Sequence, residues 1–120
     1  LLDWVGLDVK ADPEKSEAYD AIAGIKGACR AFKESFDLLR EAGVKLETRT
    51  TAHPDFLSAG DILSIGRWLN ARGVDTYALQ IFRKAPGMET PFDPVPADWP
   101  EERTLDALRT LFPHFTLRRL

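Results

Sequence analysis

Two helix-to-strand joints in this chain are near copies of each other. Glu41-Ala42-Gly43-Val44 and Ala71-Arg72-Gly73-Val74 stand 30 residues apart, about the length of one strand-plus-helix unit. In each, a glycine offers the left-handed residue that ends a helix, and a valine opens a β-prone run. A chain that alternates strands and helices at this spacing is expected to form a parallel α/β sheet joined by right-handed crossovers, either doubly wound or part of a barrel. Antiparallel packing is disfavoured.

The elements around these joints follow from periodicity. Leu1 to Lys10 is a mostly apolar run that reads as a buried strand, with Val5, Leu7 and Val9 on one face and Trp4, Gly6, Asp8 and Lys10 on the other. A short helix is expected from Pro13 or Glu14, with Gly24 and Gly27 as breakers. Cys29, Phe32, Phe36 and Leu39 recur at helical spacing between Ala28 and Ala42. Val44 to Thr51 alternates as a second strand. Ser58 and Asp61 form a capping-box pattern that opens a helix burying Ile62, Ile65 and Leu69, and Val74 to Phe82 reads as a third strand. Pro86 to Pro100 is an extended loop; after it, Leu105, Leu108 and Leu111 face inward from a helix that Pro113 ends, and Phe115 to Leu120 is a last short strand. Residues 1–84 are expected to carry three βα strands, and residues 85–120 the loop, helix and terminal strand packed against them.

The 120 residues fit one domain, and their formal charge of −3 argues against a general electrostatic grip on nucleic acid or anionic lipid. No apolar run approaches the roughly 20 residues needed to span a bilayer, and no signal peptide opens the chain, so a cytoplasmic protein is expected. The single cysteine, Cys29, excludes an internal disulfide, a cysteine-ligated zinc finger and a self-contained iron–sulfur site. On its apolar stripe Cys29 reads as a buried, inert thiol.

Parallel sheets bind ligands beyond the carboxyl ends of their strands, so the polar residues there are the candidates. Asp8 and Lys10 point the same way at the end of the first strand. The carboxylate can ligate a cation and the ammonium can hold a carboxylate or phosphate, or the two form a strand-end ion pair. Arg49 could clamp an anion with its planar fork, or pair with Glu47 on the same face. His53, before Pro54, either titrates near neutrality or fixes its loop. Gln80 and Arg83 lie at the third strand end, where a cation could meet a substrate carboxylate or phosphate or stay solvated. There is no glycine-rich phosphate loop, serine nucleophile elbow or pair of metal-binding histidines.

Taken in order, Leu2-Asp3-Trp4-Val5-Gly6-Leu7-Asp8-Val9-Lys10-Ala11, the Ile22-Ala23-Gly24 break, Arg49-Thr50-Thr51-Ala52-His53-Pro54 and Tyr77-Ala78-Leu79-Gln80-Ile81-Phe82-Arg83 form a series. It resembles the C-terminal half of radical S-adenosylmethionine activating proteins of the anaerobic ribonucleoside-triphosphate reductase activating type. The resemblance spans about residues 1–84 and weakens after them. It implies the last strands of a partial (β/α)6, TIM-like barrel. It also implies an oxidoreductase that reductively cleaves S-adenosylmethionine at a 4Fe-4S cluster, giving a radical that takes a hydrogen from a glycine of the partner reductase. The partners implied are that glycyl-radical enzyme, the anaerobic ribonucleotide reductase, and an electron donor such as flavodoxin or ferredoxin.

By the same resemblance Asp8 and Lys10 match the family's strand-end pair. In the related pyruvate formate-lyase activating enzyme the Asp helps bind a monovalent cation and the Lys contacts the methionyl carboxylate. Arg83 falls where that relative has a histidine near the cofactor, and Gln80 and Arg49 would line the cavity. The family's CxxxCxxC motif and its glycine-rich segments are absent, so cluster ligands are expected on polypeptide upstream, and the chain alone is expected to be inactive. No residue here is assigned a catalytic or metal-ligating role. A cluster-free α/β module binding an anionic ligand or partner protein is the alternative, and a half-barrel aldolase or isomerase with a Lys10 Schiff base is a third. An uncapped sheet edge in such a fragment is expected to favour homodimers.

Overall fold

Gly43 and Gly73 both carry the left-handed backbone that the repeated joint demands, with φ of 71° and 81°. The chain is described here from a computed structural model, which covers residues 4–82 and 95–119. Its elements run β1 (Trp4–Asp8), α1 (Ser16–Ala23), α2 (Ala28–Glu41), β2 (Lys45–Ala52), α3 (Ala59–Ala71), β3 (Thr76–Ile81), α4 (Glu102–Leu111) and β4 (His114–Arg119). The strands form one parallel sheet in the order β1-β2-β3-β4, so each strand lies beside its successor in the chain. The molecule is therefore an α/β protein in which parallel strands alternate with helices.

Several boundaries differ from the sequence expectation, each for a local reason. The first helix starts at Ser16 because Asp12 Oδ1 accepts the Glu14 N–H, a turn that holds the preceding residues out of the helix. The third strand starts at Thr76, since Val74 N–H bonds back to the Leu69 carbonyl and belongs to the joint. The last helix starts at Glu102, after Pro100. The terminal strand begins at His114 and adds directly to β3. Of the proline-rich loop, residues 86–94 lie outside the described residues.

Sequential order and right-handed crossovers place the described helices on one face of the sheet. The burial of β2 alternates accordingly: Leu46, Thr48, Thr50 and Ala52 are buried, while Lys45, Glu47, Arg49 and Thr51 are not. Under the helices lie Tyr77, Leu79 and Ile81 of β3 with Ile62, Ile65, Leu69 and Leu108, all fully buried. Each such side chain contributes on the order of 1.5–3 kcal/mol relative to exposure. Phe32, Phe36 and Trp68 close the core over α2 and α3, the Phe36 and Trp68 rings meeting edge-on at 5.0 Å.

Two polar devices fix the helices. The capping box forms as expected, with Ser58 Oγ accepting the Asp61 N–H and Asp61 accepting the Ser58 N–H. The second, unexpected, is Asp20 near the end of α1, whose carboxylate accepts the N–H groups of Cys29 and Gly27, each at 2.8 Å. It thereby caps α2 from outside, and those backbone donors hold its carboxyl below the usual carboxylate range. Among the described residues no helix is long and apolar enough to cross a membrane.

Candidate functional site

Parallel pairing in sequential order brings the carboxyl ends of all the strands to one rim. The register sets Asp8 beside Arg49, Thr51 beside Gln80, and Gln80 beside Arg118. Because side chains alternate along each strand, these residues project from the face opposite the helices. One face and one end of the sheet thus hold most of the polar candidates.

Arg49 Nε donates to Asp8 Oδ1 at 3.0 Å. The guanidinium reaches the carboxylate by lying across β1 at Gly6, where a Cβ would come within 2.9 Å of Nη2. Gly6 is therefore the floor on which Arg49 rests. A second bridge spans β3: Arg118 Nη2 donates to Glu47 Oε1 at 3.0 Å. Thr51 Oγ1 donates to Gln80 Oε1 at 3.3 Å. The expected alternative of a Glu47–Arg49 pair is thus replaced by two crossings: Glu47 and Arg49 each bond to a different strand.

Asp8 and Lys10 line the same pocket of about 200 Å³, shared with Val9, Ile22, Thr51 and Phe56. They also border a groove of about 510 Å³ that runs along the outer edge of β1 to the α1–α2 joint. Beyond the end of β1, the Lys10 N–H donates to the Tyr19 hydroxyl at 3.2 Å, which fixes the backbone where the lysine leaves the sheet. Burial raises the Tyr19 pKa, so the hydroxyl stays neutral at ordinary pH.

The structure brings Asp8, Arg49 and Gln80 to one face and Lys10 to the same rim. Arg83 lies outside the described residues. His53 is fully buried, its Nδ1 accepts the Asp55 N–H at 3.0 Å, and its ring stacks on Phe56, which suits the loop-fixing reading. Cys29 is also buried, with its thiol directed to the Pro13 carbonyl. Sequence reading missed Arg118. The signal was present: Arg118 holds the same outward position on β4 that Gln80 holds on β3.

The rim carries both signs of charge, with Lys10 lining the same pocket as Asp8 and Arg49 paired to Asp8. It does not suit an iron–sulfur cluster. The chain has one thiol, that thiol is buried, and the described residues contain no group of three or more His, Cys, Asp or Glu able to hold a metal ion. Comparison of the chain with family models, with curated proteins and with solved structures finds no match.

Proposed function

We propose that this chain is the C-terminal wall of a partial (β/α)6 barrel in a radical S-adenosylmethionine activating enzyme, and that its rim binds S-adenosylmethionine. One observation supports the reading: a parallel sheet in sequential order presents Asp8, Arg49 and Gln80 at the carboxyl ends of its strands, on the side away from the helices, with Lys10 on the same rim. That is where barrel enzymes bind their ligands. The groove of about 510 Å³ that Asp8 and Lys10 border, open toward α1 and α2, falls in the size range of small-molecule sites.

In this reading the Lys10 ammonium takes the methionyl carboxylate, and Asp8 places negative charge near the ligand's cationic groups. Arg49, held by Asp8 and seated on Gly6, is pre-oriented, so little side-chain entropy is lost when the ligand arrives. Gln80 and Thr51 present hydroxyl and amide groups to the same space. A reduced 4Fe-4S cluster would supply the electron that cleaves the bound S-adenosylmethionine, and no residue of this chain is given a part in that step. The cluster does not fit this chain, and its thiolates belong to other polypeptide. The glycyl-radical enzyme and a flavodoxin or ferredoxin donor are the partners this reading implies.

Amide NMR of the ¹⁵N-labelled chain tests it by titration with S-adenosylmethionine, and in parallel with inorganic phosphate. Shifts confined to Asp8, Lys10, Thr51 and Gln80 at low-millimolar ligand, weakened about tenfold by Lys10→Ala, are expected; tenfold corresponds to ~1.4 kcal/mol. No shift up to ~5 mM would refute the reading. Equal shifts with phosphate would favour the cluster-free anion-binding module instead.

A further inference from the structure

The outer edges of the sheet are unlike. β4 ends in Arg118 and Arg119, and Arg119 donates to the Trp99 carbonyl, so that edge carries charge and a crossing segment. β1 reads Trp-Val-Gly-Leu-Asp, and its one charge is already paired with Arg49. Charged edges resist strand addition, whereas apolar ones invite it.

Among the described residues β1 pairs only with β2, and that pairing sets the direction of its remaining backbone hydrogen-bonding groups. Val9 N–H donates to the Arg49 carbonyl at 2.8 Å. In a parallel ladder alternate residues bond to the same neighbour, so Val5 and Leu7 also turn toward β2. The backbone groups of Trp4, Gly6 and Asp8 then point outward. Only an extended strand can satisfy such a row.

We infer that β1 pairs antiparallel with β1 of a second copy of this chain, about a two-fold axis at Gly6. In that register Gly6 meets the second copy's Gly6, Trp4 meets Asp8, and Val5 meets Leu7. Every outward backbone group of the strand then exchanges hydrogen bonds, and the whole of β1 overlaps. A shift by one residue would turn Leu7 to the polar side, and centring on Asp8 would oppose two carboxylates. Each Asp8–Arg49 pair comes to lie against the indole of the second copy's Trp4, a favourable site for a guanidinium. Within the strand no like charges stand directly opposite, and the two Arg49 guanidiniums, which both lie over Gly6 and so meet near the axis, are each neutralised by their own Asp8.

The groove beside β1 supports the same occupant. Leu7, Ala23, Ala28, Ala31 and Phe32 give it an apolar wall, and Ile25, 68% exposed, stands on its rim. A two-fold axis normal to the sheet puts both helix layers on one side, so the grooves face each other and each Ile25 closes against the other copy's wall. Isologous contacts of this kind complete themselves without building fibres. This pairing belongs to the chain by itself: in the barrel of the proposed function the same β1 edge would carry a strand of other polypeptide, so a second copy pairs there only where that strand is absent. Dimerisation and S-adenosylmethionine binding are read by separate experiments.

Sedimentation velocity on the full chain between about 1 and 500 µM tests it, with amide hydrogen exchange at both ends of the range. A monomer–dimer equilibrium is expected, with exchange at the Gly6 and Asp8 amides slowing at least tenfold as the dimer forms. Ile25→Asp and Trp4→Ser, both at exposed positions, should weaken association at least tenfold while leaving the circular dichroism spectrum unchanged. A monomer at the highest concentration overturns the inference. So does a dimer that leaves Gly6 exchange unprotected or is indifferent to both substitutions, because the contact would then lie elsewhere.

Discussion

Along β2, Leu46, Thr48, Thr50 and Ala52 lie beneath the helices, whereas the residues between them, Lys45, Glu47, Arg49 and Thr51, belong to the opposite face. The covered face is joined by contact and shape. The open face is joined by charge: Asp8 to Arg49 across β1, and Glu47 to Arg118 across β3. Parallel sheets usually bury both faces, and their strands then read as continuous apolar runs. The alternation here instead gives one packed face and one polar face. Stability should therefore follow substitutions on the first face and respond weakly to those on the second.

The largest effect is expected at Leu79, fully buried at the centre of β3. Leu79→Ala should cost about 3 kcal/mol in chemical denaturation; a loss below about 1 kcal/mol would mean that the covered face is not the core. Gly66 comes next. It lets α3 and α4 approach, since a Cβ there would sit 2.9 Å from Leu108 Cδ2 and 3.3 Å from Leu111 Cδ1. Gly66→Val should cost about 2 kcal/mol, read from the thermal midpoint and its denaturant counterpart.

The third expectation has the opposite sign. Tyr77 Oη and Thr50 Oγ1 are buried on the covered face near each other, but they form no well-aligned hydrogen bond with any described residue, and burial pushes the Tyr77 pKa up against the small opposing effect of the Thr50 hydroxyl. Removing the hydroxyl by Tyr77→Phe should stabilise the protein by up to ~1 kcal/mol, and a clear loss would reveal a partner for it. On the open face, Gly6→Ala should change stability by no more than ~0.5 kcal/mol, because the atom it meets is the far end of a flexible arginine. Its effect should instead appear as displacement of Arg49 from Asp8, seen in the Arg49 Nε–H NMR signal. An undisturbed signal would show that Gly6 is not the seat of the guanidinium.

The parallel α/β arrangement was legible because it depends on local patterns: the glycine joints, the capping box, and the Cys29-Phe32-Phe36 stripe all appear where periodicity puts them. Less legible were partnerships between strands. Arg49 shares a strand with Glu47, and only the lateral register makes Asp8 its partner and leaves Glu47 to Arg118, 71 residues away along the chain. The Asp20 cap was hidden for a related reason, since it reaches across a joint to donors on the next helix. Side-chain alternation tells which way a residue points; it does not tell which neighbour waits there.

The twin glycine joints have a consequence for how such a molecule can grow. Each returns the chain from a helix to a parallel strand by the same turn, with Val44 and Val74 bonding back to Leu39 and Leu69 in the same way. The stretch from one joint to the next is in effect an interchangeable module with a fixed pitch. Duplicating it would lengthen the sheet by a single step and leave every existing rim residue at its own level, so additional binding groups could be recruited without redesigning those already in place.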